Sequence, residues 1–159
     1  MHVDIVCATP LEAVGLEAIV PSSFAPDAGD SARLIAELWA ELTTCLGATP
    51  DSTDWDFVGI TTPADDVVPP QRIRYVASVT TKSAAPLPTG LTAYTIGGGD
   101  YAVIRYSGPQ SEVDDFYREV YLSELEIRNL TTRSGQHLER LLGAQTGEQI
   151  ELEAWVPVN

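Results

Sequence analysis

The 159-residue chain sets 23 acidic side chains against 9 basic ones, a formal charge of −14. Such a surface repels phosphate backbones, and the sequence has neither a basic stripe nor an N-terminal helix-turn-helix, so a nucleic-acid partner is not expected. A length of 159 residues suits one domain, or two small ones in tight contact, and a hydrophobic content of 44% fits a soluble globular protein. No apolar run approaches the ~20 residues of a membrane span, so no membrane is expected. The first ten residues have no basic n-region and carry Asp4 within the apolar stretch; no signal peptide is expected and a cytoplasmic location is. The acidity itself serves solubility or draws in cationic ligands.

In chain order, His2 to Cys7 alternates weakly as a strand, and Ala13 to Val20 reads as a second. Pro21 to Gly29 is a loop. Asp30 or Ser31 can cap a helix with Leu34, Ile35, Leu38, Trp39, Leu42 and Leu46 at helical spacing, stopped by Gly47. A polar linker leads to a short strand, Phe57 to Thr61, and a turn-rich loop from Pro63 to Pro70 precedes a long strand over Ile73 to Val79. Ala84 to Thr89 bridges to a second half. There Leu91 to Ile96 is a short strand, Gly97 to Gly99 a tight turn, and Tyr101 to Ser107 a strand. Pro109 suits the first position of a helix whose buried stripe is Val113, Phe116, Tyr117, Val120, Tyr121 and Leu125. His137 to Leu142 and Gln149 to Val156 are the last strands, joined through a turn over Gly143 to Gly147. Each half, about 1–83 and about 90–159, thus reads strand, helix, strand, strand.

Several segments carry a family likeness. Gly99-Asp100-Tyr101-Ala102-Val103 followed by Gly108-Pro109 before a helix, Val58-Gly59-Ile60, Pro69 or Pro70 with Arg74-Tyr75, Leu38-Trp39 with Leu42, Pro88 with Gly90-Leu91, and the closing Ile150 to Val158 stand in a common order. Together they resemble the GyrI-like small-molecule-binding domain, also the effector-binding domain of multidrug-sensing regulators, here in stand-alone form. The resemblance covers nearly the whole chain. It implies an α+β fold of two pseudo-twofold-related strand-helix-strand-strand units, built as antiparallel sheets with a ligand cleft between them. Many members carry an acid two residues before a tyrosine on the penultimate strand. This chain reads Glu139-Arg140-Leu141, keeping the acid and losing the aromatic. The tryptophan that often ends the second helix has no counterpart in Tyr121 to Leu125.

Strand alternation points to the same acid. His137, Glu139 and Leu141 share one face of their strand, with Leu138 and Leu142 on the other. In the last strand Ile150, Leu152, Ala154 and Val156 form an apolar face, leaving Glu151, Glu153 and Trp155 opposite. If the helices cover the aliphatic face, Glu139, His137 and Trp155 turn toward the other side. A carboxylate among aromatics binds a lipophilic cation, or works as an acid or base with a raised pKa; the plain alternative is a solvated strand carboxylate. Trp39 is either core or a ring that stacks on a flat ligand. Tyr75 and Tyr101 stand at family-like strand positions, core or pocket. Trp55, in a polar segment, covers something: a lid or a satellite cluster. The glycines before a strand do not make a nucleotide loop, which needs strand, glycines, helix. Two histidines and the cysteines Cys7 and Cys45 have no ligand spacing, and neither a metal nor a cofactor is expected.

Three functions fit. The first is capture of aromatic or lipophilic cationic compounds by Glu139, Trp39, Tyr75, Tyr101, Trp155 and His137. The second, implied by the resemblance, is hydrolytic opening of strained cyclopropane rings of DNA-alkylating natural products, with Glu139 as the catalytic acid or base. The third is an acidic protein-interaction module antagonising DNA gyrase.

Overall fold

The computed structural model describes residues 1–82, 85–143 and 148–159. The expected turn over Gly143 to Gly147 and the first residue of the Ala84 bridge fall wholly or partly outside them. Eight strands form one antiparallel sheet: β1 (Asp4–Ala8), β2 (Leu11–Pro21), β3 (Trp55–Pro63), β4 (Arg72–Thr81), β5 (Thr92–Ile96), β6 (Gly99–Pro109), β7 (His137–Leu141) and β8 (Gln149–Pro157). Helix α1 (Ser31–Leu46) follows β2. Helix α2 (Val113–Glu119) follows β6 and runs on through a π turn, Val120–Glu124, into a last α-helical turn, Leu125–Ile127.

The strand order is β1-β6-β8-β7-β3-β4-β2-β5. The units β2-α1-β3-β4 and β6-α2-β7-β8 have the same order and meet back to back, β3 pairing antiparallel with β7 at the centre. The α+β class and the repeated strand-helix-strand-strand unit are as the sequence implies. The outermost strands are exchanged, however: β1 lies in the first half of the sequence and pairs with β6, and β5 pairs with β2. The two units thus share one continuous sheet.

Local chemistry sets the boundaries. Gly47 ends α1 at φ 63°, its N–H bonded to the Thr43 carbonyl, the left-handed stop a glycine allows at little cost. Asp30 stands before α1 without a side-chain capping bond. Pro109 does not open a helix. It ends β6 in an extended conformation, and a 3₁₀ turn, Gln110–Glu112, intervenes before α2.

Helix α1 packs Leu38 and Leu42 on Val20, Phe57, Ala77 and Val79, whereas Phe116, Val120 and Leu125 of the second helix pack on Ala102, Ile104, Leu152 and Ala154. Leu141 of β7 touches both clusters and so lies on the seam between them. A third cluster fills the other face, where Tyr101, Val103, Val6 and Ala8 from one end of the sheet meet Ala13, Tyr94 and Ile96 from the other. Contact between opposite ends means that the sheet curls into a half-barrel.

Candidate ligand-binding site

Glu139 sits at the middle of β7, facing Gly59 of β3 on one side and Ala154 of β8 on the other. Residues paired across strands share a face, so Glu139 lies with Ala154 on the side covered by helices. Trp155 pairs with Leu138 and lies on the opposite side. The expectation that Glu139, His137 and Trp155 share a face away from the helices is therefore corrected: Glu139 and His137 stand on the helix side and Trp155 on the other. Alternation within each strand reads correctly, but the register between β7 and β8 puts the acid on the aliphatic face of β8. Tyr101 also belongs to the far side, fully buried, its hydroxyl donating to the Gly97 carbonyl at 2.6 Å and Arg133 5.0 Å over its ring. Tyr101 and Trp155 pack edge to face, 5.8 Å apart, away from the acid. The structure does not bring these two to Glu139.

It does bring together Trp39, Tyr75, His137 and two tyrosines of the second helix. Tyr75, 3% exposed, reaches from β4 across β3 and donates its hydroxyl to Glu139 Oε1 at 3.1 Å. The same hydroxyl accepts from Trp39 Nε1 at 2.9 Å, so α1 is tied to the acid through a Trp–Tyr–Glu relay. Gly59 makes this possible. A Cβ there would come within 2.2 Å of the Tyr75 hydroxyl oxygen and 2.7 Å of its ring carbon. From the other helix Tyr117 donates to Glu139 Oε2 at 2.5 Å. One turn on, Tyr121 stacks on Tyr117 at 6.5 Å and shares a 2.6 Å hydrogen bond with Nδ1 of His137, which stands on the Glu139 face of β7.

Glu139, Trp39, Tyr117 and His137 are half-buried, and Tyr121 is 38% exposed, so the acid lies at the floor of an aromatic seam between the helices. Burial raises the Glu139 carboxyl above its ordinary 4.5, and the two tyrosine donors pull it partly back. Burial first, then the Glu139 charge, pushes the Tyr75 and Tyr117 hydroxyls well above 10, so both remain donors. Burial lowers His137 below 6.5 and favours its neutral form. Among the described residues no cation pairs with Glu139: each of the nine basic side chains is engaged elsewhere. Eight form ion pairs with Asp or Glu, and Arg133 bonds the carbonyls of Gly98, Asp100 and Val158.

Tyr117 and Tyr121, placed in the helix core stripe by sequence, are the site residues that the reading missed. Their spacing of four on a stripe facing the acid's strand is the available signal. Trp55 opens β3 and donates to the Pro86 carbonyl at 3.3 Å, fastening the segment before β5 to the α1 cluster. A shallow depression of about 370 Å³ beside Arg105, Tyr106, Glu112 and Phe116 contains none of the expected residues. The described residues contain no His/Cys/Asp/Glu group able to hold a metal, and no helix among them is long and apolar enough to cross a membrane.

Comparison with known proteins agrees with this architecture. The protein SAV2435 in its structure bound to tetraphenylphosphonium superposes with a TM-score of 0.73 at 17% identity, over 100% of this chain and 94% of that one. A putative transcription regulation protein from Staphylococcus aureus gives 0.61 at 19%, over 100% and 99%. A hydrolase from Listeria innocua gives 0.54 at 11%, over 99% and 91%. Identities this low establish likeness of fold. No curated protein matches the sequence. The family model of the GyrI-like small-molecule-binding domain matches residues 1–159, and the chain therefore belongs to the GyrI-like small-molecule-binding family.

Proposed function

We propose that the protein captures lipophilic and aromatic cations in the seam between its two helices, with Glu139 as counter-charge and Trp39, Tyr75, Tyr117 and Tyr121 as the aromatic walls. The observation that carries this reading is a half-buried carboxylate held by two neutral hydroxyls and paired with no cation among the described residues. A charge removed from water stays costly until a partner compensates it. A soft cation brings that partner without a tight hydration shell, and the ring faces around it add cation–π attraction. The fold-level neighbour bound to tetraphenylphosphonium supports the same ligand class.

Titration with tetraphenylphosphonium, read by Trp39 fluorescence and by calorimetry, tests it. Glu139→Gln keeps the shape and removes the charge, and should weaken binding by about 1.5–3 kcal/mol, the range of a charge-assisted contact. Binding by the parent should fade as pH drops through the raised Glu139 value, above the 4.5 of an ordinary glutamate, because the protonated acid offers no charge. Equal affinity in the parent and in Glu139→Gln across this range overturns the reading.

A second reading rests on the same acid. A carboxyl with a raised pKa, oriented by two hydroxyls, is suited to move a proton; a hydrolase is among the fold-level neighbours. Opening of a strained cyclopropane ring by water, with Glu139 as acid or base, is then the reaction class. Turnover of such a substrate, lost in Glu139→Gln while binding persists, distinguishes it from capture.

A further inference from the structure

The seam has a second polar group that the capture of a bare cation does not use. His137 and Glu139 are two residues apart on β7, so their side chains stand on one face about 6.6 Å apart along the strand. Nδ1 of His137 is taken by Tyr121 at 2.6 Å, and Nε2 has no partner among the described residues. Chemistry assigns the proton. A phenol is a much stronger donor than a neutral imidazole N–H, and an imidazole nitrogen is a better acceptor than a phenol oxygen. The Tyr121 hydroxyl therefore donates to Nδ1, and the single ring proton resides on Nε2. Desolvation of His137 favours this neutral form. The half-buried ring thus presents a fixed N–H donor beside the acid, its orientation held by Tyr121, whose ring lies 5.6 Å away.

Resting on the cation-capture reading, we propose that His137 is a specificity-determining residue: its Nε2–H recognises a hydrogen-bond acceptor carried by the ligand, so that the preferred compounds are lipophilic cations with a carbonyl-type oxygen about 6–7 Å from the cationic centre. Glu139 attracts the charge and His137 selects among charged compounds. Tyr121 is the positioning residue that fixes the tautomer.

Two probes of equal charge test this: butyltriphenylphosphonium, and the triphenylphosphonium whose fourth arm is a three-carbon chain ending in a primary amide. The amide N–H groups meet the same surroundings in parent and mutant, so that the change in ratio reads the carbonyl acceptor. The measured quantity is the ratio of their affinities. His137→Phe should lower the ratio of amide to butyl binding about five- to tenfold, as expected for a neutral hydrogen bond. His137→Gln, which keeps an N–H donor, should restore most of it. An unchanged ratio in His137→Phe overturns the proposal while leaving cation capture intact. If neither probe binds the parent, cation capture fails and the proposal fails with it. Should His137→Phe not fold, the imidazole ¹⁵N resonances of the parent decide. The amide probe should move the Nε2 signal and the butyl probe should not; equal shifts overturn the assignment.

Discussion

Gly59 shows how much of the site depends on a missing side chain. It lies between the strands that carry Tyr75 and Glu139, and the Tyr75 ring crosses the space a Cβ would fill. The other neighbour of Glu139, on β8, is the small Ala154, so the acid is flanked by low side chains on both sides. A tyrosine ring is rigid beyond χ2 and cannot yield by bending, so Gly59→Ala must drive the Tyr75 hydroxyl off Glu139 and off Trp39. Two hydrogen bonds at a buried hydroxyl are then strained or lost. Denaturant unfolding should show a loss of about 1–3 kcal/mol, and the relay's tryptophan emission should shift. If stability and emission both stay at parental values, the ring has another way across the strand. The sequence offered Gly59 as part of a family-like triplet, and Tyr75 and Glu139 as separate candidates. Nothing in it said that the first makes room for the second to reach the third, because β3 pairing with both β4 and β7 is a long-range fact.

At the scale of elements, the second helix differs from a regular one where it meets the site. Val120 and Leu125 are both buried, 0% and 4% exposed, although five residues apart. In an α-helix that spacing rotates the second side chain well off the first one's face. The π turn over Val120–Glu124 absorbs the extra residue and returns Leu125 to the core. The sequence stripe already contained the irregular step, since 116, 120 and 125 are spaced four and then five, yet periodicity alone does not say whether a helix breaks or widens there. Leu122 is 67% exposed within the widened turn. Its deletion makes the Val120–Leu125 step four, the spacing of a normal helix, with both residues still facing the sheet. Deletion of Leu122 should therefore cost less in denaturant unfolding than Leu125→Ala, which removes a buried leucine side chain at about 2–5 kcal/mol. A deletion more damaging than the truncation would mean that the π turn itself holds the helix in place.

For the molecule as a whole, the sequence made the two-unit plan legible and hid the assignment of faces. Element order, the α1 stripe and the alternation of β7 and β8 all read correctly in isolation. The placing of Glu139 required the register Glu139–Ala154 and Leu138–Trp155, and a one-residue difference in pairing exchanges the two faces. Charge distribution is a second property of the whole. The nine cations are engaged internally, and most of their partners are surface carboxylates, which leaves the bulk of the 23 acids to repel one another around a net charge of −14. Exposed ion pairs contribute about 0–1 kcal/mol each, whereas mutual repulsion among unpaired like charges destabilises the compact state. Salt screens both, reducing the Debye length to about 8 Å at physiological strength and about 3 Å at 1 M. With so few attractive pairs and so large an excess of one sign, relief of repulsion should win, and the thermal midpoint should rise steadily as sodium chloride is added from low salt toward 1 M. Association with a cationic probe should slow over the same series, because the long-range pull of the acidic surface is screened while the contact at Glu139 is not. A midpoint that falls with salt would show that the ion pairs, Asp56–Arg140–Glu153 foremost, outweigh the net charge in holding the sheet together.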